Sequence, residues 1–113
     1  MINQQVNLLK EIYEEACNQL NGKPFSKFNY TFNNKEGWER YGIYFFDNGK
    51  SVLIEDADYK KIANLSQHLH DIMESQTGGD WREFIMYMQD DGELKTQFNY
   101  DIITIMDVIN RQA

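Results

Sequence analysis

Phe28, Tyr30 and Phe32 alternate with Lys27, Asn29, Thr31 and Asn33. A period of two sends successive side chains to opposite faces, so this stretch reads as a half-buried strand. The next twenty residues narrow the fold sharply. Asn34-Lys35-Glu36-Gly37 is a turn cluster, and Trp38 to Phe46 is a second strand. Asp47-Asn48-Gly49-Lys50 holds Asn-Gly, the pair that best tolerates positive φ in a two-residue hairpin, and Ser51 to Glu55 is the returning strand. Connections this short cannot make the long crossover that parallel pairing needs, so an antiparallel sheet is expected. In the second strand Tyr41, Ile43 and Phe45 point one way and Gly42, Tyr44 and Phe46 the other. That predicts an interior strand covered on both faces.

Helical spacing brackets the strands. Ile2, Val6, Leu9, Tyr13, Ala16 and Leu20 recur every three or four residues, predicting an amphipathic helix over residues 1–21 with Ile12 and Cys17 on the edges of its stripe. Asn21-Gly22 stops it, and Pro24 lies just beyond. Asp56 to Asp58 supplies N-cap carboxylates for a second helix with Ile62, Leu65, Leu69, Ile72 and Met73 on its apolar face, ended by Thr77-Gly78-Gly79-Asp80. Trp81 to Met88 and Glu93 to Tyr100 are two further strands around the Asp90-Asp91-Gly92 turn. Asp101 is expected to cap a short terminal helix with Ile102, Ile105, Met106 and Ile109 on one side. The order α-β-β-β-α-β-β-α predicts an α+β domain: a five-stranded antiparallel sheet with helices packed on one face.

Length and charge exclude several classes. The 113 residues suit one domain, 1–113, and the hydrophobic content of 42% argues against disorder. The single cysteine, Cys17, rules out an internal disulfide framework or a thiolate zinc cage. Residues 1–10 do not read as a secretory signal, and no apolar run is long enough to span a bilayer, so a cytoplasmic protein is expected. Eighteen acidic against eleven basic side chains give a net charge of −7, which repels nucleic acid and anionic membranes and favours a basic protein partner.

Candidate chemistry is sparse. His68 and His70 lie two apart on a helix, so their rings diverge by about 200° and do not share the face that an i, i+4 metal pair needs. His68 is expected beside the apolar stripe and His70 towards solvent. Asp56-Ala57-Asp58 lacks the glycine and the distal Glu of a calcium loop, and reads as a helix cap. Cys17 sits at the edge of a buried stripe, as small core cysteines do. Ser26, Ser51, Ser66 and Ser75 occur in no nucleophile elbow, and Thr-Gly-Gly-Asp lacks a phosphate loop's Lys-Ser/Thr ending. Glu55 and Glu83 read as surface acids. No enzymatic activity, cofactor or metal is expected. The aromatic residues belong mostly to the core. Tyr44 and Phe46, with either Trp81 and Tyr87 or Phe84, Met86 and Met88, are expected on the sheet's second face. Bordered by acids, such a face would suit a protein partner.

The stretch Asp80 to Asp101, DWREFIMYMQDDGELKTQFNYD, resembles the signature of the YezG-like immunity proteins. Trp81 leads a strand, Gly92 lies in the turn, and Phe98, Tyr100 and Asp101 close the second strand. The amphipathic helix, the Tyr/Phe-rich hairpin and the second helix come in the same order, so the similarity spans nearly the whole chain. The resemblance implies an antitoxin that binds a secreted or contact-delivered toxin, often a nuclease, in a one-to-one complex. A nuclease carries a basic cleft for phosphate, and an acidic inhibitor is expected to occupy that cleft or an exosite. The candidate partner-binding residues are Asp47, Glu55, Asp56, Asp58, Asp90, Asp91 and Glu93, with Trp38 and Tyr44 as aromatic anchors. The alternative is a small adaptor or ligand-binding module that uses the aromatic sheet face.

Overall fold

The computed structural model describes residues 2–112, and side chains from residue 4 to residue 111. Met1, where the helical reading begins, and the side chain of Ile2 lie outside the described residues. The elements are α1 (Ile2–Leu20), β1 (Phe25–Asn33), β2 (Trp38–Asp47), β3 (Lys50–Leu53), α2 (Lys60–Thr77), β4 (Glu83–Met88), β5 (Leu94–Asn99) and α3 (Ile105–Gln112). The strands form one antiparallel sheet in the order β3-β2-β1-β4-β5. This is the α+β arrangement that the period changes predict. At the β2–β3 turn Asn48 and Gly49 have φ of 53° and 79°, as an Asn-Gly hairpin requires.

One sheet face carries the core. Phe28, Tyr30, Phe32, Ile43, Phe84 and Met86 are buried there under α1 and α2. Trp81, in the loop just before β4, stands edge-on to Tyr30, Phe32 and His70, with ring centroids 6.3, 5.9 and 5.1 Å away. The backbone ladder still reaches past it, because Phe32 N–H donates to Arg82 O and Arg82 N–H to Asn99 O.

Both long helices are turned relative to their expected stripes. In α1 the buried apolar residues are Leu8, Ile12, Ala16 and Leu20, with Glu15 buried beside them; Leu9, Tyr13 and Cys17 are half-buried and Val6 is exposed. The cause is a second neighbour. Lys61 approaches Glu15 at 4.0 Å, and Gln5 and Gln76 are hydrogen-bonded at 3.1 Å, so α1 buries an arc shared between the sheet and α2. In α2 the buried set is Ile62, Ala63, Ser66, Leu69 and His70. Ser66 is accommodated because its hydroxyl donates to Ile62 O at 2.8 Å.

The histidines therefore exchange their expected places. His68 is exposed, whereas His70 is 5% exposed. Its ring packs edge-on against Phe32 and Trp81, with Nδ1 3.0 Å from Asp71 Oδ1 and Nε2 2.7 Å from Asp80 Oδ1. Carboxylates at both nitrogens make burial of the ring tolerable.

The start of α2 also differs. The helix begins at Lys60 after Tyr59, with Asp58 Oδ1 accepting the Lys60 amide hydrogen at 3.1 Å and Asp56 lying upstream in irregular chain. Residues 54–59 bend at Glu55 and Asp56 and are held against β2 at both ends. Ile54 N–H donates to Ile43 O, Tyr59 stacks on Tyr41, and the Tyr59 hydroxyl accepts from Ile43 N–H at 3.1 Å.

Candidate interaction surface

The C-terminal segment runs under the opposite sheet face, not the face occupied by α1 and α2. Thr31, Asn33 and Glu83 alternate with the buried core residues of β1 and β4, so they point away from the two long helices. Asn33 Nδ2 donates to Ile103 O at 2.9 Å, and Arg111 Nη1 reaches Glu83 Oε2 at 3.3 Å. The core face is already filled, and these polar groups draw the last residues across to the other side.

A single turn organises the attachment. Asn33 Oδ1 accepts the amide hydrogens of Lys35 and Glu36 at 3.0 and 2.9 Å. Glu36 Oε1 in turn accepts from Trp38 Nε1 and from the Ile105 amide, both at 2.9 Å. The terminal helix is capped by Thr104, three residues after the expected Asp101. Thr104 Oγ1 accepts from Asp107 N–H at 3.2 Å, and Asp107 Oδ2 accepts from Thr104 N–H at 2.9 Å, a reciprocal capping box. The Thr104 amide hydrogen bond holds the Asp107 carboxyl below its ordinary range.

Among the described residues of this segment only Ile103 and Val108 are buried. Tyr100, Ile102, Ile105, Met106 and Ile109 each leave between 46% and 59% of their surface in water. The terminal helix is thus amphipathic with most of its apolar side outward, where the sequence suggests packing. Asp101, Asp107 and Glu36 are exposed around it. A run of large exposed apolar side chains within ten residues, bordered by acids, has the make-up of a protein-binding surface.

The expected binding residues are dispersed. Strands β2 and β4 both run antiparallel to β1, so their following turns share one end of the sheet. Asp47 ends β2 at one of these turns, and Asp90, Asp91 and Glu93 lie in the other. Within the second turn Asp91 Oδ1 accepts from Glu93 N–H at 2.9 Å, and Glu93 sits 3.5 Å from Lys95. Glu55 and Asp56 lie exposed along a groove between the end of α1 and β3, with Lys23 and Phe45 in its wall. Asp58 stands at the start of α2, its amide donating to Gln19 Oε1. The C-terminal apolar strip is at the other end of the sheet, and Trp38, tied to Glu36, is the one expected anchor beside it.

Tyr44 lies on the open sheet face. There Leu53, Tyr44, Lys27, Tyr87 and Lys95 pair in register across all five strands. Lys27 Nζ stands 4.6 Å from the Tyr44 ring centroid. The aromatic residues of this face are thus Trp38 at the far end, Tyr44, Phe46 and Tyr87, while Phe84, Met86 and Met88 face the helices. Lys27 and Lys95 stand among them, the second 3.5 Å from Glu93. Interior placement of β2 is as expected, but its second face has no helix over Tyr44, because the terminal helix covers only the far end.

Among the described residues one group of metal-ligating side chains converges: His70, Glu74 and Asp80. Asp80 is held below the ordinary carboxylate range, first by its hydrogen bond to His70 and also by Arg82, whose Nη2 is 2.9 Å from Asp80 Oδ2. No described helix is long and apolar enough to cross a membrane. No protein-family model matches the chain, and no curated protein matches it.

Proposed function

We propose that the chain is a non-enzymatic immunity protein that binds and neutralises a toxin domain, and that the C-terminal strip is its contact surface. The observation that carries the reading is the outward apolar side of the terminal helix, Ile105, Met106 and Ile109, continuous in sequence with Ile102 and Tyr100. Water contact with that much large apolar surface is relieved when a partner covers it, by roughly 25 cal/mol for each Å² removed. The acids Glu36, Asp101 and Asp107 at its border suit a basic partner, and a net charge of −7 accelerates encounter with one. Residues 80–101 resemble the YezG-like immunity signature, which adds the role: a nuclease toxin, occluded one to one in the cytoplasm of the cell that makes it.

The test is protection. The chain is co-expressed with the toxin encoded beside its gene, as wild type and as an Ile105→Glu, Ile109→Glu double variant shown to keep its fold by circular dichroism. Survival with wild type and killing with the double variant is the expected result. Equal protection by both variants removes the strip from the reading, and a neighbouring gene without a toxic product that the chain neutralises removes the role.

A second reading is favoured by the open sheet face. The Tyr44-Lys27-Tyr87-Lys95 row suits an anionic ligand better than a basic toxin. It makes the chain an adaptor that holds an acidic segment. Binding abolished by Lys27→Glu and untouched by the double variant of the strip would favour it.

A further inference from the structure

We propose that His70, Glu74 and Asp80 form a binding site for a divalent transition-metal cation. His70 and Glu74 stand four apart near the end of α2, the spacing that places two side chains on one helix face. The helix then stops at Gly78, in the left-handed conformation at φ 75°, with its amide donating to Glu74 O at 2.9 Å. Gly79 continues the reversal in a tight place, since a Cβ there would lie 3.1 Å from Thr77 Oγ1 and 3.4 Å from the Tyr100 ring. The two glycines bring Asp80 back over the face that His70 and Glu74 share. The result is one imidazole nitrogen and two carboxylate oxygens within 4.8 Å of one another.

That spacing is close to a coordination sphere. Donors bound at about 2.0–2.2 Å to one ion stand roughly 3.0–3.6 Å apart. His70 Nε2 and Asp80 Oδ1 are 2.7 Å apart, so they part by less than about 1 Å to admit an ion. Glu74, exposed on the solvent side, closes over it. The ion takes the place of any proton between Nε2 and Asp80, the ring binding as the neutral tautomer with its hydrogen on Nδ1 towards Asp71.

The surroundings already orient the ligands. Phe32 and Trp81 fix the His70 ring edge-on at 5.0 and 5.1 Å, and Asp71 Oδ1 lies 3.0 Å from Nδ1, the ring nitrogen turned away from the cluster. A carboxylate on the far nitrogen is the usual outer partner of a metal-bound histidine. Arg82 engages Asp80 Oδ2 and leaves Oδ1 to the cluster. Its charge opposes the ion, so the site is weaker than a structural zinc cage. An N/O/O set selects zinc, manganese, iron or nickel over magnesium or calcium, and three protein ligands leave a coordination position open.

Calorimetric titration of the full chain with Zn²⁺, Mn²⁺ and Ni²⁺ tests the site. The expected result is one equivalent bound for at least one ion, a raised melting temperature, and broadening of the His70 ring signals on Mn²⁺ addition. Glu74→Gln, at an exposed position, is expected to weaken binding at least tenfold, as is Asp80→Asn. Should His70→Gln fail to fold, Glu74→Gln decides the matter. Absence of binding at about 1 mM of each ion overturns the proposal. So does unchanged affinity in Glu74→Gln and Asp80→Asn, which places the ion on other carboxylates of this acidic chain.

Discussion

Glu36 Oε1 lies 2.9 Å from the amide nitrogen of Ile105, so a carboxylate from the β1–β2 turn sits at the N-terminus of α3. It acts as a remote cap: an anion satisfies an orphan amide hydrogen at the positive end of the helix. The same oxygen holds Trp38 Nε1. Glu36→Ala is expected to cost about 1 kcal/mol locally, the usual scale of a lost cap. Hydrogen exchange at the amides of residues 105–109 should quicken several-fold while the sheet amides stay protected. Uniformly faster exchange across the sheet would show that Glu36 supports the whole fold instead.

Asp107 gives α3 a pH dependence. Its folded carboxyl is held below the ordinary range by the Thr104 amide. A group with a depressed folded pKa contributes stability that is present above its unfolded value, about 3.9, and lost as pH falls through the folded value. Order in α3 is therefore expected to persist from neutrality to about pH 4 and to decline below it. Amide chemical shifts of residues 104–109 would track the loss. In Asp107→Asn the acid-induced step should disappear, and an identical step in that variant would assign it to another carboxylate.

The sheet was legible because its cues are local. Alternation in Lys27 to Asn33 and the Asn48-Gly49 turn act within a few residues, and tertiary packing did not overrule them. Which side of each helix would be buried was less legible. Periodicity locates an apolar arc but not the number of neighbours that share it, and α1 has two. His70 reads as a polar residue that belongs in water, and Asp71 and Asp80 on its two nitrogens make its burial tolerable. Asp80 comes to it through the glycine reversal after α2, a contact that helical spacing does not reveal. The apolar side of the terminal helix was visible in Ile102, Ile105, Met106 and Ile109. Its outward orientation was not, because it depends on Asn33 and Glu83 drawing that segment across the sheet. The Ser/Thr-x-x-Asp pattern at Thr104 and Asp107 was the available signal for the helix start.

Gly42 marks a close approach on the open sheet face. A Cβ there would meet Leu53 Cδ1 and Tyr44 Cε1 at 3.0 Å and Asn29 Oδ1 at 3.1 Å. Two of these are side-chain ends that can retreat, whereas Asn29 Oδ1 is enclosed and has no hydrogen-bond partner. Gly42→Ala is expected to lose about 1–2 kcal/mol to crowding, offset in part because alanine loses less backbone freedom than glycine on folding, roughly 0.5–1 kcal/mol. A small net destabilisation in urea unfolding is the expected outcome, with the Tyr44 ring resonances shifted. Stabilisation by more than about 0.5 kcal/mol would show that the row relaxes freely.

Ile102 and Ile103 are neighbours in sequence with opposite environments, the first 56% exposed and the second 2%. Their substitution separates surface from core within one segment. Ile103→Ala removes a buried side chain whose backbone carbonyl is also bonded by Asn33, and should cost about 2–5 kcal/mol. Ile102→Ala leaves no cavity and should stay within about 0.5 kcal/mol of wild type. If the strip is a contact surface, Ile102→Ala nevertheless slows partner binding or speeds its release while thermal unfolding is unchanged. Equal destabilisation by the two substitutions would mean that Ile102 is covered in solution, and that the strip closes on the chain itself.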